Sequence, residues 1–203
     1  MIRAGFELLG GEGAAATTVR AVCRRAELNP RYFYESFEDL DELLVAVYDD
    51  VVGALAAEIL DAQAAAPDEP RAQLRVAIER SVKFVDEDRR RGRVLYVEAL
   101  GNEALNRRHR EAGLALVELI EQAAGGSDDS TPTADGVPRL AAAILVAGFS
   151  ELLSEWLEHR IDVSARQLVD DATDLFIALG KASAEIASRR QRQQRRSSSS
   201  RRH

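Results

Sequence analysis

LNPRYFYESF, residues 28–37, packs four aromatic rings into ten positions of a 203-residue chain that has only Phe 6, Tyr 4 and Trp 1. Asn29 suits a helix N-cap, and Pro30 suits the first helical position, where its missing N–H has no intrahelical partner to lose. The sequence therefore predicts a short helix over RYFYESF. Upstream, Thr17 and Thr18 stand where an N-cap belongs, ahead of VRAVCRRA, whose Val19, Val22 and Cys23 recur at helical spacing. Ala26-Glu27-Leu28-Asn29 reads as the tight turn between the two.

Ile2, Phe6 and Leu9 share one face of a first helix, which Gly10, Gly11 and Gly13 stop. Past the aromatic stretch, Asp39 and Glu42 form a carboxylate variant of the capping box. Leu40, Leu43, Leu44, Val47, Val51, Leu55 and Ile59 stripe a long helix that Pro67 and Pro70 end. Further helical segments carry Leu74, Ile78, Val82 and Val85, then residues 91–124 with a break near Gly101-Asn102. GGSDDSTPTADG at 125–136 reads as a loop. Pro138 opens an apolar helix through LAAAILVAGF. Ser164 and Gln167 cap a last long helix striped by Leu168, Ala172, Leu175, Phe176 and Leu179. Strand patterning is almost absent. The expected fold is all-α: a three-helix N-terminal unit, then a larger helical domain, about nine helices in all. The expected boundaries are 1–48, 49–188, and a disordered Arg/Ser-rich tail at 189–203.

A single cysteine, Cys23, excludes an internal disulfide and fits a reducing cytoplasm. No run approaches the roughly 18 uninterrupted apolar residues of a membrane span, and the start does not read as a secretion signal. Cytoplasmic localisation and no membrane partner are the expectations. The net charge of −7 is unevenly placed. SRRQRQQRRSSSSRRH at 188–203 holds seven arginines and no acid, so the rest of the chain carries twice the overall negative charge. Nonspecific nucleic-acid binding by the body is disfavoured. His109, His159 and His203 are isolated, no cluster has metal-ligand spacing, and no nucleophile elbow or phosphate-binding glycine loop appears. An enzyme, a metal and a cofactor are not expected.

The segments at 18–25 and 30–37 have helix-turn-helix proportions. Phe33 and Phe37 lie four apart and should face inward, leaving Arg31, Tyr32 and Tyr34 outside. In such a motif the first residues of the second helix enter the major groove, where an arginine can bind guanine bidentately. Tyr32 suits a thymine methyl or a phosphate, Tyr34 a phosphate through its hydroxyl, and Thr18 a phosphate at a helix N-terminus. The expected DNA-binding set is Thr17, Thr18, Arg20, Asn29, Pro30, Arg31, Tyr32 and Tyr34.

TTVRAVCRRAELNPRYFYESFEDLDELL resembles the DNA-binding segment of TetR-type (TetR/AcrR) transcriptional regulators, with Tyr34 and Phe37 supplying the Tyr-x-x-Phe that ends the recognition helix and Asn29 in place of a serine. The resemblance is specific over residues 2–48. It implies a ligand-responsive regulator, expected to be a repressor, binding a pseudo-palindromic double-stranded operator. It implies a homodimer built through the last two long helices, and release by a small-molecule effector. Phe84, Leu95, Tyr96, Phe149, Trp156 and His159 are the expected effector lining; a mostly apolar lining suits a hydrophobic molecule. Three departures stand out. Glu27 replaces the usual turn glycine, Leu40 replaces a common phosphate-contacting lysine, and no basic arm precedes the first helix. The alternative function is a helical adaptor that has lost DNA binding and engages a protein through its acidic face.

Overall fold

The computed structural model describes residues 1–125 and 136–200, and among these every regular element is helical. Helix α1 spans Ile2–Glu12, α2 Val19–Ala26, α3 Pro30–Tyr34, α4 Leu40–Ala65 and α5 Pro70–Glu87. Helix α6 covers 89–101 and contains a π-helical stretch, Arg93–Glu98. Helix α7 spans Glu103–Gly125, α8 Val137–Leu157 and α9 Ala165–Ser200. Most of the expected loop at 125–136, and residues 201–203, lie outside the described residues.

The local signals act as capping chemistry predicts. Thr18 Oγ1 accepts from the Ala21 N–H, Asn29 Oδ1 from Arg31, Asp39 Oδ1 from Glu42 and Ser164 Oγ from Gln167. Each satisfies one of the backbone donors that a helix start leaves without an intrahelical acceptor. Glu42 reaches back to the Glu38 N–H at 2.6 Å, one residue ahead of the cap itself.

Two features concern continuity, the first of them in line with the apolar stripe from Leu40 to Ile59. Helix α4 runs unbroken across position 48, so the N-terminal unit and the body share it. Helix α9 continues to Ser200, past Ser188, where composition predicts order to end. Composition speaks to packing, and extending an existing helix needs neither packing nor a new nucleus.

One apolar core runs through both parts, from Leu9, Val22 and Phe33 through Leu44, Val47 and Val85 to Leu105, Leu153 and Leu168. Each such side chain stabilises by about 1.5–3 kcal/mol on burial. The two parts touch most closely where α1 crosses the start of α6. A Cβ at Gly10 would lie 2.7 Å from Arg90 Cβ and 2.9 Å from the Arg90 carbonyl oxygen. Beside this crossing, Glu98 Oε2 accepts from the Ala14 N–H at 2.8 Å, and Arg93 donates to the Gly11 carbonyl at 3.2 Å. Arg93 and Glu98 also pair with each other at 3.0 Å. They are five residues apart, a spacing that the wider π-turn brings toward one face and an α-turn would splay.

Helix α8 has a mean hydropathy of 1.5 and by length and composition alone is apolar enough to cross a membrane. It packs against α7 and α9, and it carries Glu151 and Glu155. Its other face, however, leaves Leu140 and Ile144 about 60% exposed, in line with Ala147 and Gly148.

The crossing yields a paired prediction. Gly10→Ala is expected to destabilise by about 1–3 kcal/mol through overpacking against backbone. Gly11→Ala, with open space around its Cβ position, is expected to stabilise by about 0.5–1 kcal/mol through helix propensity. Urea unfolding midpoints check both, and shifts of the same sign would refute the close approach.

Candidate functional site

Phe33 is fully buried, its ring 5.7 Å from that of Phe37 and 5.3 Å edge-on from Tyr34. This anchor turns the rest of α3 outward: Tyr32 is 54% and Tyr34 64% exposed. Asn29, Pro30 and Arg31 are exposed beside them, as are Thr18 and Arg20 at the start of α2. Seven of the eight expected DNA-binding residues are exposed.

Thr17 does not join them. It is 1% exposed, and its hydroxyl donates to the Gly13 carbonyl at 2.9 Å. The first threonine closes the turn after α1, and only the second caps α2 toward solvent. Thr18 uses a lone pair for that cap and keeps its own proton to donate.

The charges around this surface are mostly paired within the protein. Arg31 Nε lies 2.9 Å from Glu35, and Arg25 bridges Glu7 and Glu12. Arg20 and Arg24 have no ion-pair partner among the described residues.

The six expected effector residues divide. Phe84, Leu95 and Trp156 are buried in the main core, with Tyr96 and Phe149 at its margin. Phe149 packs edge-on against Phe176 at 5.7 Å. The Trp156 indole N–H donates to the Val163 carbonyl at 2.9 Å, so its polar handle is already engaged. The Tyr96 hydroxyl meets no hydrogen-bond partner among the described residues, and burial pushes its pKa up.

His159 departs from the expectation. It lies beyond the end of α8 with φ 57°, exposed, its ring 3.1 Å from the Arg89 guanidinium. A left-handed residue at a helix terminus aims its side chain away from the helix's buried stripe. A depression of about 420 Å³ bordered by Leu28, Tyr32 and Phe37 lies beside α3, and one of about 570 Å³ runs along α9. Neither is lined by any of the six.

Residues 1–47 match the family described as bacterial regulatory proteins, tetR family. The N-terminal domain belongs to the tetR family. Solved structures extend the likeness to the whole fold. The fatty acid degradation regulator FadR from Bacillus halodurans superposes with a TM-score of 0.70 at 15% identity, over 86% of this chain and 95% of that one. A putative transcriptional regulator from Pseudomonas aeruginosa PAO1 gives 0.68 at 23% identity, over 93% and 90%. FadR from Bacillus subtilis, in complex with stearoyl-CoA, gives 0.65 at 14% identity, over 86% and 95%. At these identities the structures establish the all-helical fold alone. No curated protein matches the chain.

Within the tetR-family domain the departures now have geometry. Glu27 has φ 56°, and the Leu28 N–H reaches the Cys23 carbonyl at 2.9 Å, closing a Schellman cap on α2. Such a residue is usually glycine because a Cβ costs roughly 1–2 kcal/mol there. Leu40 is half-buried and packs against the core.

Sequence reasoning also missed a part-buried polar pair. Tyr48 on α4 and His109 on α7 meet at 3.1 Å between hydroxyl and Nδ1. Burial pushes the Tyr48 hydroxyl up to about 12, with the nearby Arg108 partly opposing, and lowers the His109 pKa. Sixty-one positions separate them, so no local motif marks the pair. The one available signal was a tyrosine on the apolar stripe of α4, since a buried phenol needs a partner.

Glu27→Gly is expected to raise stability by about 0.5–1 kcal/mol, the relief of strain being partly offset by unfolded-chain entropy. A melting temperature equal to or below that of the parent would contradict the strain. A second expectation concerns pH. The folded His109 pKa lies below its ordinary 6.5, so below that pH the unfolded chain binds more protons and stability falls with acidification. Thermal melts between pH 7 and 5 should show a smaller loss for His109→Gln than for the parent; equal losses would remove His109 as the cause.

Proposed function

We propose that the chain is a ligand-responsive transcriptional regulator that acts as a repressor. It binds a pseudo-palindromic operator as a homodimer and is released by a small hydrophobic molecule. The observation that carries this reading is the exposed Arg31-Tyr32-Tyr34 surface. It is fixed from behind by Phe33 and Phe37, within the segment that matches the tetR family.

Thr18, Arg20, Asn29, Pro30, Arg31, Tyr32 and Tyr34 make the contacts. The first turns of α3 enter the major groove, with Arg31 directed at a guanine edge. Its bond to Glu35 must open first. Both groups are largely exposed, and such pairs are worth only about 0–1 kcal/mol. With five arginines against ten carboxylates in residues 1–50, the domain leans on neutral donors, and the salt slope of its operator binding is shallow.

The dimer forms through α8 and α9. The exposed Leu140 and Ile144 on α8 and Leu175 on α9 supply apolar surface that the protomer leaves uncovered. A two-fold axis through such an interface repeats the recognition helix about one DNA turn away. The effector enters the cluster of Phe84, Leu95, Tyr96, Phe149 and Trp156, with the Tyr96 hydroxyl as a polar contact. These side chains are already packed, so a ligand must displace them, and it shifts the equilibrium only by its preference for the displaced state. That a protein of like fold binds stearoyl-CoA supports an apolar effector.

Selection from random-sequence duplexes tests the reading, with a palindromic consensus as the expected result. Combined Arg31→Glu and Tyr32→Ala substitution should weaken binding to that consensus by about 100-fold or more, on the scale of one bidentate base contact plus a charge reversal. The melting temperature should hold, since both side chains are exposed. No enriched sequence, or unchanged affinity in the double variant, would overturn the proposal.

A further inference from the structure

The arginine-rich end of α9 lies far along that helix from the helix-turn-helix domain. Helix α8 ends beside the junction with the N-terminal domain. Arg89 donates to the Leu157 carbonyl at 3.2 Å, and a Cβ at Gly92 would collide with the Leu157 side chain. Helix α9 begins next to that end and runs back along α8, as the contact between Phe149 and Phe176 records. It is antiparallel to α5 as well, with Arg71 paired to Asp174 and Arg75 to Asp170. The start of α9 is therefore near the helix-turn-helix domain, and every later turn moves away from it. At about 1.5 Å per residue, Arg189 stands roughly 36 Å farther along than Ala165. Ser183 is the last buried residue described on α9. The backbone then stays helical to Ser200, with Arg189 and Arg192 exposed and without ion-pair partners among the described residues.

We propose that this segment is a second, sequence-independent contact for duplex DNA, at the end of the molecule opposite the helix-turn-helix domain. One protein then holds two separate stretches of DNA. The chemistry selects the partner. Residues 188–203 contain seven arginines, no acid and no apolar residue, interleaved with glutamine and serine. Guanidinium groups match phosphate oxygens bidentately, and Gln and Ser add neutral donors to phosphate and sugar. A protein partner would need an apolar or aromatic anchor, and stable seating in a lipid interface would need apolar side chains; the segment has neither. The strongly acidic remainder of the chain is the competing anion, but it offers scattered carboxylates where a duplex offers one charge per about 1.7 Å. The inference does not rest on the operator reading, because the contact uses no residue of that surface.

The test is binding of a 30-base-pair duplex without selected operator sequence, measured by fluorescence anisotropy from 50 to 300 mM NaCl. The parent is compared with a variant carrying Arg→Gln at 189, 190, 192, 195 and 196, which keeps helix propensity; circular dichroism verifies helicity. The plot of log affinity against log salt should lose about 3–4 in slope, at roughly 0.9 per lost phosphate contact. Affinity at 50 mM should fall at least tenfold. The Arg31→Glu, Tyr32→Ala protein should retain the tail-dependent binding, which separates failure of this proposal from failure of operator reading. A bead-bound duplex should capture a second, labelled duplex through the parent and not through the five-glutamine variant. An unchanged slope, higher affinity on removing the arginines (a tail folded onto its own acidic body), or equal capture by both proteins overturns the proposal. So does displacement of the duplex by 1:3 phosphatidylglycerol–phosphatidylcholine vesicles at equal phosphate concentration, which would make a lipid surface the partner.

Discussion

The crossing of α1 over the start of α6 at Gly10 and Arg90 is the constraint on which the arrangement of the molecule depends. Backbone meets backbone there, closely enough that a single methyl group would fall within 2.9 Å of a carbonyl oxygen. Contacts of this kind have no flexible side chain to absorb a change, so the angle between the tetR-family domain and the body is set by the chain itself. The Arg90 guanidinium lies over the Phe6 ring at 5.2 Å and covers the crossing from one side. The π-turn of α6 secures the other, because its wider winding delivers Arg93 and Glu98 together to the loop after α1. Helices α6 and α1 are thus held against each other from both sides of the crossing. Packed interfaces of this kind change by discrete steps, not continuous deformation.

The same logic runs from α1 into the reading surface. Leu8 and Leu9 are buried with Val22 and Phe33 in one cluster, and α4 passes beneath them with Leu43, Leu44 and Val47. The long helix that supports α3 in the N-terminal domain therefore also packs in the body. Helix α4 is continuous across 48/49, as its apolar stripe from Leu40 to Ile59 predicts.

What was legible in the sequence was what local chemistry decides. Four caps, at Thr18, Asn29, Asp39 and Ser164, announce helix starts because an oxygen in the right register satisfies a backbone donor whatever the rest of the chain does. The αL turn at Glu27 was legible through the residue that ought to stand there. Positions that depend on tertiary packing were not. Thr17 and Thr18 are the same residue type side by side, and only the path of the chain after α1 turns one inward. His159 follows a helix whose stripe points to the core, but the left-handed step past the last turn reverses its direction. Tyr48 and His109 meet only once α4 and α7 are packed. The helical run to Ser200 has a different basis: burial decides whether a segment joins a core, and helix continuation does not require one.

An acidic domain that reads DNA is less paradoxical once its ion pairs are examined one by one. Arg31 with Glu35, Arg25 with Glu7 and Glu12, and Arg3 with Glu7 are partly to largely solvent-exposed pairs, and surface pairs are individually worth typically below about 1 kcal/mol. They keep cationic side chains oriented at little energetic cost and yield them readily to a phosphate or a base edge. Under the proposed function, the carboxylates left behind repel the DNA backbone, so a register in which Arg31 finds no base partner gains nothing to offset that repulsion. Weak internal pairing and fixed negative charge together trade affinity for discrimination. On the proposed second contact, attraction that is indifferent to sequence sits at the far end of α9, away from α3.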